Sequence, residues 1–234
     1  MNMFRFNLNH TMGILLAATV FVAGSAWTST ATSAAASPMA NSAAATTVPA
    51  KESALSTLDF RRAMDKLWED HVTWTRLFIV SFAADLPDKD LTAARLLQNQ
   101  VDIGNAIKPF YGEKAGDALT ALLKDHILGA VDVLSAAKAG NTAMVDTAST
   151  KWYANADDIA TFLSKANPNH WPLADMKAGM KMHLDMTLAE AVARLKGNYA
   201  EDIANYDKVH QHILGLSNLL STGIIEQFPE KFKK

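Results

Sequence analysis

The sequence predicts an all-α protein, an up-and-down bundle of about six antiparallel helices. From Ser53 onward apolar residues recur three, four or seven apart, the spacing of one helix face. Proline and glycine cut that stretch at near-regular intervals. Alternating apolar and polar runs joined by Asn-Gly-type turns, the signature of hairpin strands, are absent. Connections of two to six residues then force consecutive helices to run antiparallel.

The first helix is predicted from Leu55 to Ala84, with Phe60, Met64, Leu67, Trp74, Phe78 and Phe82 on its apolar stripe. Ser56 and Asp59 form a capping pair, and Pro87 stops it. A second runs from Lys89 to Lys108, with Asp88 or Asp90 as N-cap and Pro109 as terminator. The third spans Glu113 to Lys138 and closes at Gly140, with Lys138 near the negative end of the helix dipole. The fourth, Thr142 to Lys165, ends at Asn167-Pro168. Pro172 opens the fifth, where its missing N–H costs nothing, and Gly197 closes it. Asn198 with Glu201 makes a capping-box-like start to the sixth, which runs to Gln227 before Pro229.

Residues 1–52 read differently. Between Phe6 and Ala50 there is no Asp, Glu, Lys or Arg. Arg5, the apolar stretch Met12 to Ala23 and the small residues Gly24-Ser25-Ala26 form the pattern of a signal peptide, residues 1–26. The apolar run is shorter than the roughly 20 residues a membrane span needs, so no transmembrane span is expected after cleavage. Residues 27–52 form an Ala/Ser/Thr-rich tether: 18 of the 23 residues from 28 to 50 are Ala, Ser or Thr, too few large apolar groups to bury. The helical domain is residues 53–234, and the protein is expected to be exported to the periplasm or beyond.

Composition removes several function classes. With 22 Lys+Arg against 24 Asp+Glu, the chain lacks the basic excess that tracks phosphates, so no nucleic-acid partner is expected. Zero cysteine excludes disulfides, thiolate zinc sites, iron–sulfur clusters and thiol nucleophiles. P-loop, dinucleotide-binding and nucleophile-elbow motifs are missing. Asp88-Lys89-Asp90 matches a metal–nucleotide-sugar pattern, but helix capping explains it better.

A faint repeat organises the helices. His71, His126 and His183 stand near the middle of the first, third and fifth, 55 and 57 residues apart. The following helices carry Asp102-Ile103, Asp158-Ile159 and Asp202-Ile203, and the string HILG occurs at 126–129 and 212–215. Three diverged helical hairpins would produce such a pattern.

The same histidines are the candidate site. His71, His126 and His210 fall on apolar stripes and His183 at the edge of one, so imidazoles point inward in a bundle. Their expected metal-ligand role has Asp102, Asp158 and Asp207 as candidate supporting carboxylates. Met176, Met180, Met182 and Met186 surround His183, a thioether–imidazole set suited to copper as well as to ordinary core packing. The polar faces Arg95, Gln98, Asn99, Asp102, Asn105 and Asn155, Asp158, Thr161 read as solvated surface, or, if buried, as networks orienting His71 or His126. Trp68, off the first stripe beside Glu69 and Asp70, reads as an exposed ring on a partner surface.

In LWEDHVTWTR (67–76), NQVDIGNAIKP (99–109), WYANADDIA (152–160) and QFP (227–229) the chain resembles a family of exported bacterial all-helical proteins of unsettled function. Its members carry labels such as glycosyltransferase or acetylglutamate kinase. The resemblance implies export and a helical body, and carries over no catalytic residue. Both labelled chemistries need α/β nucleotide-binding architecture, whereas this sequence offers only helices. The leading expectation is an exported, non-catalytic bundle binding a small ligand, or a divalent metal, copper or metal cofactor through His71, His126, His183 and His210. Its rivals are a cofactor-free structural module of the envelope and a transferase.

Overall fold

The computed structural model describes residues 54–233; the expected signal peptide and tether lie outside the described residues. Six α-helices follow one another: α1 Thr57–Ala83, α2 Lys89–Tyr111, α3 Glu113–Lys138, α4 Thr142–Ala166, α5 Leu173–Leu195 and α6 Tyr199–Gln227, then a 3₁₀ turn Pro229–Lys231. Each helix packs on its chain neighbours, and α6 returns to pack on α1, so the bundle closes on itself. Helix α5 also touches α1 and α3, which places the odd-numbered helices toward the middle. No described helix is long and apolar enough to cross a membrane.

The caps explain most helix ends. Ser56 Oγ accepts the Asp59 N–H (3.3 Å), and Asn141 Oδ1 accepts that of Met144 (3.1 Å). Asp88 holds the N-cap position of α2 without a side-chain cap bond. At α6 the expected capping box is replaced by a side-chain contact of Asn198 Nδ2 with Glu201 Oε2 (3.4 Å). The three odd helices end alike. Gly140 and Gly197 take φ of 66° and 75°, and the next N–H bonds back to Ala136 O and Ala193 O. Asp85 takes this place after α1, with φ 52°, and Leu86 N–H bonds to Ser81 O. Each left-handed residue lies 14 positions after the histidine of its helix.

Pro109 does not terminate α2, which continues to Tyr111 and stops at Gly112 with φ 84°. Tertiary packing overrides the local breaker. Phe110 packs against Phe60, Phe228 and Phe232, and Tyr111 O–H donates to Gln227 Oε1 (2.6 Å). The helix loses one hydrogen bond at Asn105, an exposed position where water can replace it. Leu55 and Phe232 form a parallel bridge closing this end: Leu55 N–H donates to Lys231 O and Lys233 N–H to Leu55 O, both at 2.8 Å.

Two glycines permit close approaches. A Cβ on Gly104 would lie 2.6 Å from Gly116 O, so α2 and α3 cross nearly backbone to backbone. A Cβ on Gly223 would lie 2.8 Å from Trp171 Cε2, in a ring that is buried and donates through Nε1 to Leu219 O (3.4 Å). Gly223→Ala should therefore destabilise by about 1–3 kcal/mol despite alanine's better helix propensity, read as a lower urea midpoint at unchanged m-value.

Candidate functional site

His71, His126 and His183 meet on the inside of the bundle, all buried. Ring centroids are 5.8 Å apart for His71–His183 and 6.2 Å for His126–His183. The fourth ring is His212 rather than His210, stacked on His183 at 6.0 Å. His210 points away to the α1–α6 surface, where its Nε2 lies 2.8 Å from Glu69 Oε2. Position 210 is on the stripe by spacing, yet a carboxylate across the seam holds it outside.

The anticipated supporting carboxylates do not reach the rings. Asp102 is 38% exposed and pairs with Gln98 and Arg95, and Asp158 and Asp207 face solvent. Amides take their place. Asn99, one of the polar-face residues, is fully buried and donates through Nδ2 to Leu67 O (2.9 Å). Asn155 does the same to Leu122 O (3.1 Å), which turns its Oδ1 toward His126 Nδ1 at 2.9 Å. That orientation makes His126 Nδ1 the protonated nitrogen and leaves its Nε2 with a lone pair. Gln100 Nε2 donates to Leu96 O (2.8 Å) and reaches His71 Nδ1 at 3.3 Å. In the third hairpin His212 Nε2–H donates to Gly179 O (3.0 Å).

The three contacts are equivalent. Leu67, Leu122 and Gly179 each precede the helix histidine by four residues, and Asn99, Asn155 and His212 cap them from the next helix, 32, 33 and 33 residues on. A threefold hairpin repeat thus underlies the bundle, and its register differs from the one read in sequence. Ile103 and Ile159 are buried equivalents four residues after the capping residue, but their third counterpart is Leu216. Asp202-Ile203 lies in a different place, with Ile203 55% exposed. The two HILG strings also mismatch, since His126 is an inner ring and His212 a cap.

Below the imidazoles lies a chamber of about 50 Å³, lined almost wholly by apolar side chains. Its walls repeat three times. Met64, Leu119 and Met176 stand seven residues before the histidines, and Trp68, Leu123 and Met180 three before. Trp68 is thus a chamber wall and not a partner surface: it is 9% exposed, because its position three residues before His71 puts it on the inner face. A smaller cavity of about 30 Å³ lies on the other side of the rings, with Thr75, Ala130 and Thr187 four residues after the histidines. The imidazole layer separates the two.

Burial, reinforced by the charge of His126, lowers His71 from 6.5 to about 4, with a bond to Asn99 acting weakly the other way. Burial lowers His126 to about 4 against the bond to Asn155. His183 is driven well down by burial first and then by its three histidine neighbours. All three rings are neutral near pH 7 and offer lone pairs and N–H groups, not charge. Trp68 Nε1 and His183 Nδ1 have no hydrogen-bond partner among the described residues, although both residues line the chamber. Among the described residues no three His, Asp or Glu side chains are arranged to hold a metal ion. The stacked pairs, with interplanar angles of 28° and 17°, turn ring faces rather than nitrogens toward one another.

Two buried or half-buried polar residues escaped the sequence reading. His212, two positions from the expected His210, was not a candidate, because only the α5–α6 contact selects which of the two faces inward. Glu190 sits seven residues after His183, where α1 has Phe78 and α3 has Val133, and its side chain is 1% exposed against Arg76. Comparisons with protein-family models, with curated proteins and with solved structures give no match.

Proposed function

We propose that this chain is an exported, non-catalytic binding protein whose ligand seat is the chamber beneath His71, His126 and His183. The observation that carries the reading is an apolar chamber capped by three neutral imidazoles and walled in part by Trp68 and His183, whose Nε1 and Nδ1 have no hydrogen-bond partner among the described residues. A buried polar group without a partner costs about 1–3 kcal/mol, which a ligand with a hydroxyl head would relieve once either ring turned its nitrogen toward the chamber. The lining holds no charged side chain, so an ion would be desolvated there without compensation, whereas a neutral molecule would not. About 50 Å³ is the room of some three to five waters, and the flexible Met64, Met176 and Met180 can widen it. The seat therefore suits a neutral, largely apolar molecule up to about the size of phenol, with one hydroxyl-like head. Export rests on the leader pattern of residues 1–26.

Untagged mature protein should show a saturable rise in melting temperature with phenol, reaching about 2.7 kcal/mol of added stability at one hundred times Kd. Met180→Trp, which fills the chamber, should abolish the rise. No stabilisation by phenol or short alcohols would leave the imidazoles as satisfied core residues of a structural module. Elemental analysis of the same sample tests the metal alternative. Stoichiometric metal that disappears in His71→Ala would mean that the rings turn their nitrogens inward on binding.

A further inference from the structure

The three hairpins are equivalent in register but not in what fills their seams. In the first, Leu67 and Asp102 occupy the positions four before the helix histidine and three after the capping residue. In the second these are Leu122 and Asp158, and in the third both are glycine, Gly179 and Gly215. Leu67 and Leu122 pack against the core, so the loss of a side chain at Gly179 thins the wall at one seam alone. A surface groove of about 320 Å³ opens there between α5 and α6, lined by Gly179, His212 and Gly215. It shares Trp171, Met176 and Leu216 with the chamber wall, so one layer of side chains separates solvent from the seat. The groove between α4 and α5, lined by Tyr153, Lys177 and Lys181, shares no wall residue with the chamber.

We propose that the α5–α6 seam is the entrance of the chamber, through which a small neutral molecule passes beside the His212 ring. His212 is half-buried, held by a single bond to Gly179 O and stacked on His183, whose Nδ1 has no hydrogen-bond partner among the described residues. A ring swing that breaks this bond would open the groove onto His183, while Met176 and Leu216 rotate within a flexible wall. Asn99 and Asn155, smaller and doubly bonded, keep the other two seams closed. The inference rests on the seat proposed above, and its test separates the two.

Gly215 is exposed and a Cβ there meets nothing within 4 Å, so Gly215→Leu fills the groove without straining the helix. Exchange of the Trp68 indole N–H with solvent, followed by NMR, reports water reaching the chamber and needs no ligand. It should run faster than global unfolding allows, slow at least tenfold in Gly215→Leu, and be unchanged in Ala154→Leu in the α4–α5 groove. His212→Ala, which removes the ring and its bond to Gly179 O, should accelerate it. Phenol association and dissociation should slow together in Gly215→Leu, leaving Kd within about twofold. Wild-type exchange at the global unfolding rate, or exchange indifferent to Gly215→Leu, would overturn the entrance. Slowed exchange in a protein that binds no phenol would uphold the entrance and remove the proposed ligand.

Discussion

Arg76→Met is expected to cost about 3–5 kcal/mol, lowering the melting temperature by roughly 6–20 °C. Arg76 reaches from α1 to two carboxylates with almost no solvent contact, Glu190 on α5 and Asp202 on α6. Its Nη1 lies 2.9 Å from Glu190 Oε1, and it forks onto both oxygens of Asp202, with Nη2 at 2.8 Å from Oδ2. Arg194 adds a longer contact to Asp202, at 3.4 Å, which balances two cations against two carboxylates. Methionine keeps the volume of the stem but leaves that balance broken in a site where a lone charge is poorly solvated. Burial, opposed by Arg76, already lifts Glu190 to about 7, so the variant should take up a proton there. Arg76→Met combined with Glu190→Gln should recover part of the loss. Urea denaturation at pH 7 measures both, and a cost below 1 kcal/mol for the single variant would mean that water reaches the cluster freely.

Acidification should produce the second large effect. His71 and His126 fall from 6.5 to about 4 in the folded protein, so between those values the unfolded chain binds protons that the native state refuses. Stability is therefore whole above pH 6.5 and is lost as pH falls toward 4, by about 3 kcal/mol for each of the two rings. His183 acts in the same direction. Glu190 acts oppositely: raised to about 7, it binds its proton more readily in the native state and gains stability as pH falls from 7 toward 4.5. Three imidazoles outweigh one carboxyl, so the urea midpoint should drop across pH 6.5–4. In His183→Leu the drop should be shallower, because one refused proton is gone. A midpoint flat over that range would show that the rings are hydrated.

What could be read without the fold is bound to what is local. Helix number, five of the six stops and the inward bias of His71, His126 and His183 follow from three- and four-residue spacing and from Gly and Pro chemistry, which act within one or two turns. Pro109 was misread because its neighbours Phe110 and Tyr111 are anchored by residues more than 110 positions later, at Gln227, Phe228 and Phe232. Trp68 was misread because a stripe drawn through Leu67 hides that the inner face is broad enough for both. The Asp-Ile motif suggested the right number of repeats with the wrong third member, because two-residue identities carry little register.

By itself the sequence determined an all-helical body, three histidines on inner helix faces and a stretch without charged residues from Phe6 to Ala50. Periodicity and capping decide these within single helices, with no knowledge of neighbours. Only the tertiary structure decided that the rings stack at one level, that amides rather than Asp102, Asp158 and Asp207 orient two of them, and that His212 joins while His210 leaves. Those outcomes depend on the axial offset between helices, to which spacing along one helix is blind. A shift of one turn, about 5.4 Å, would exchange every partner across a seam while leaving each stripe intact. Close crossings such as Gly104 on Gly116 set that offset, and with it the chamber, its imidazole layer and the thin wall at Gly179 and Gly215.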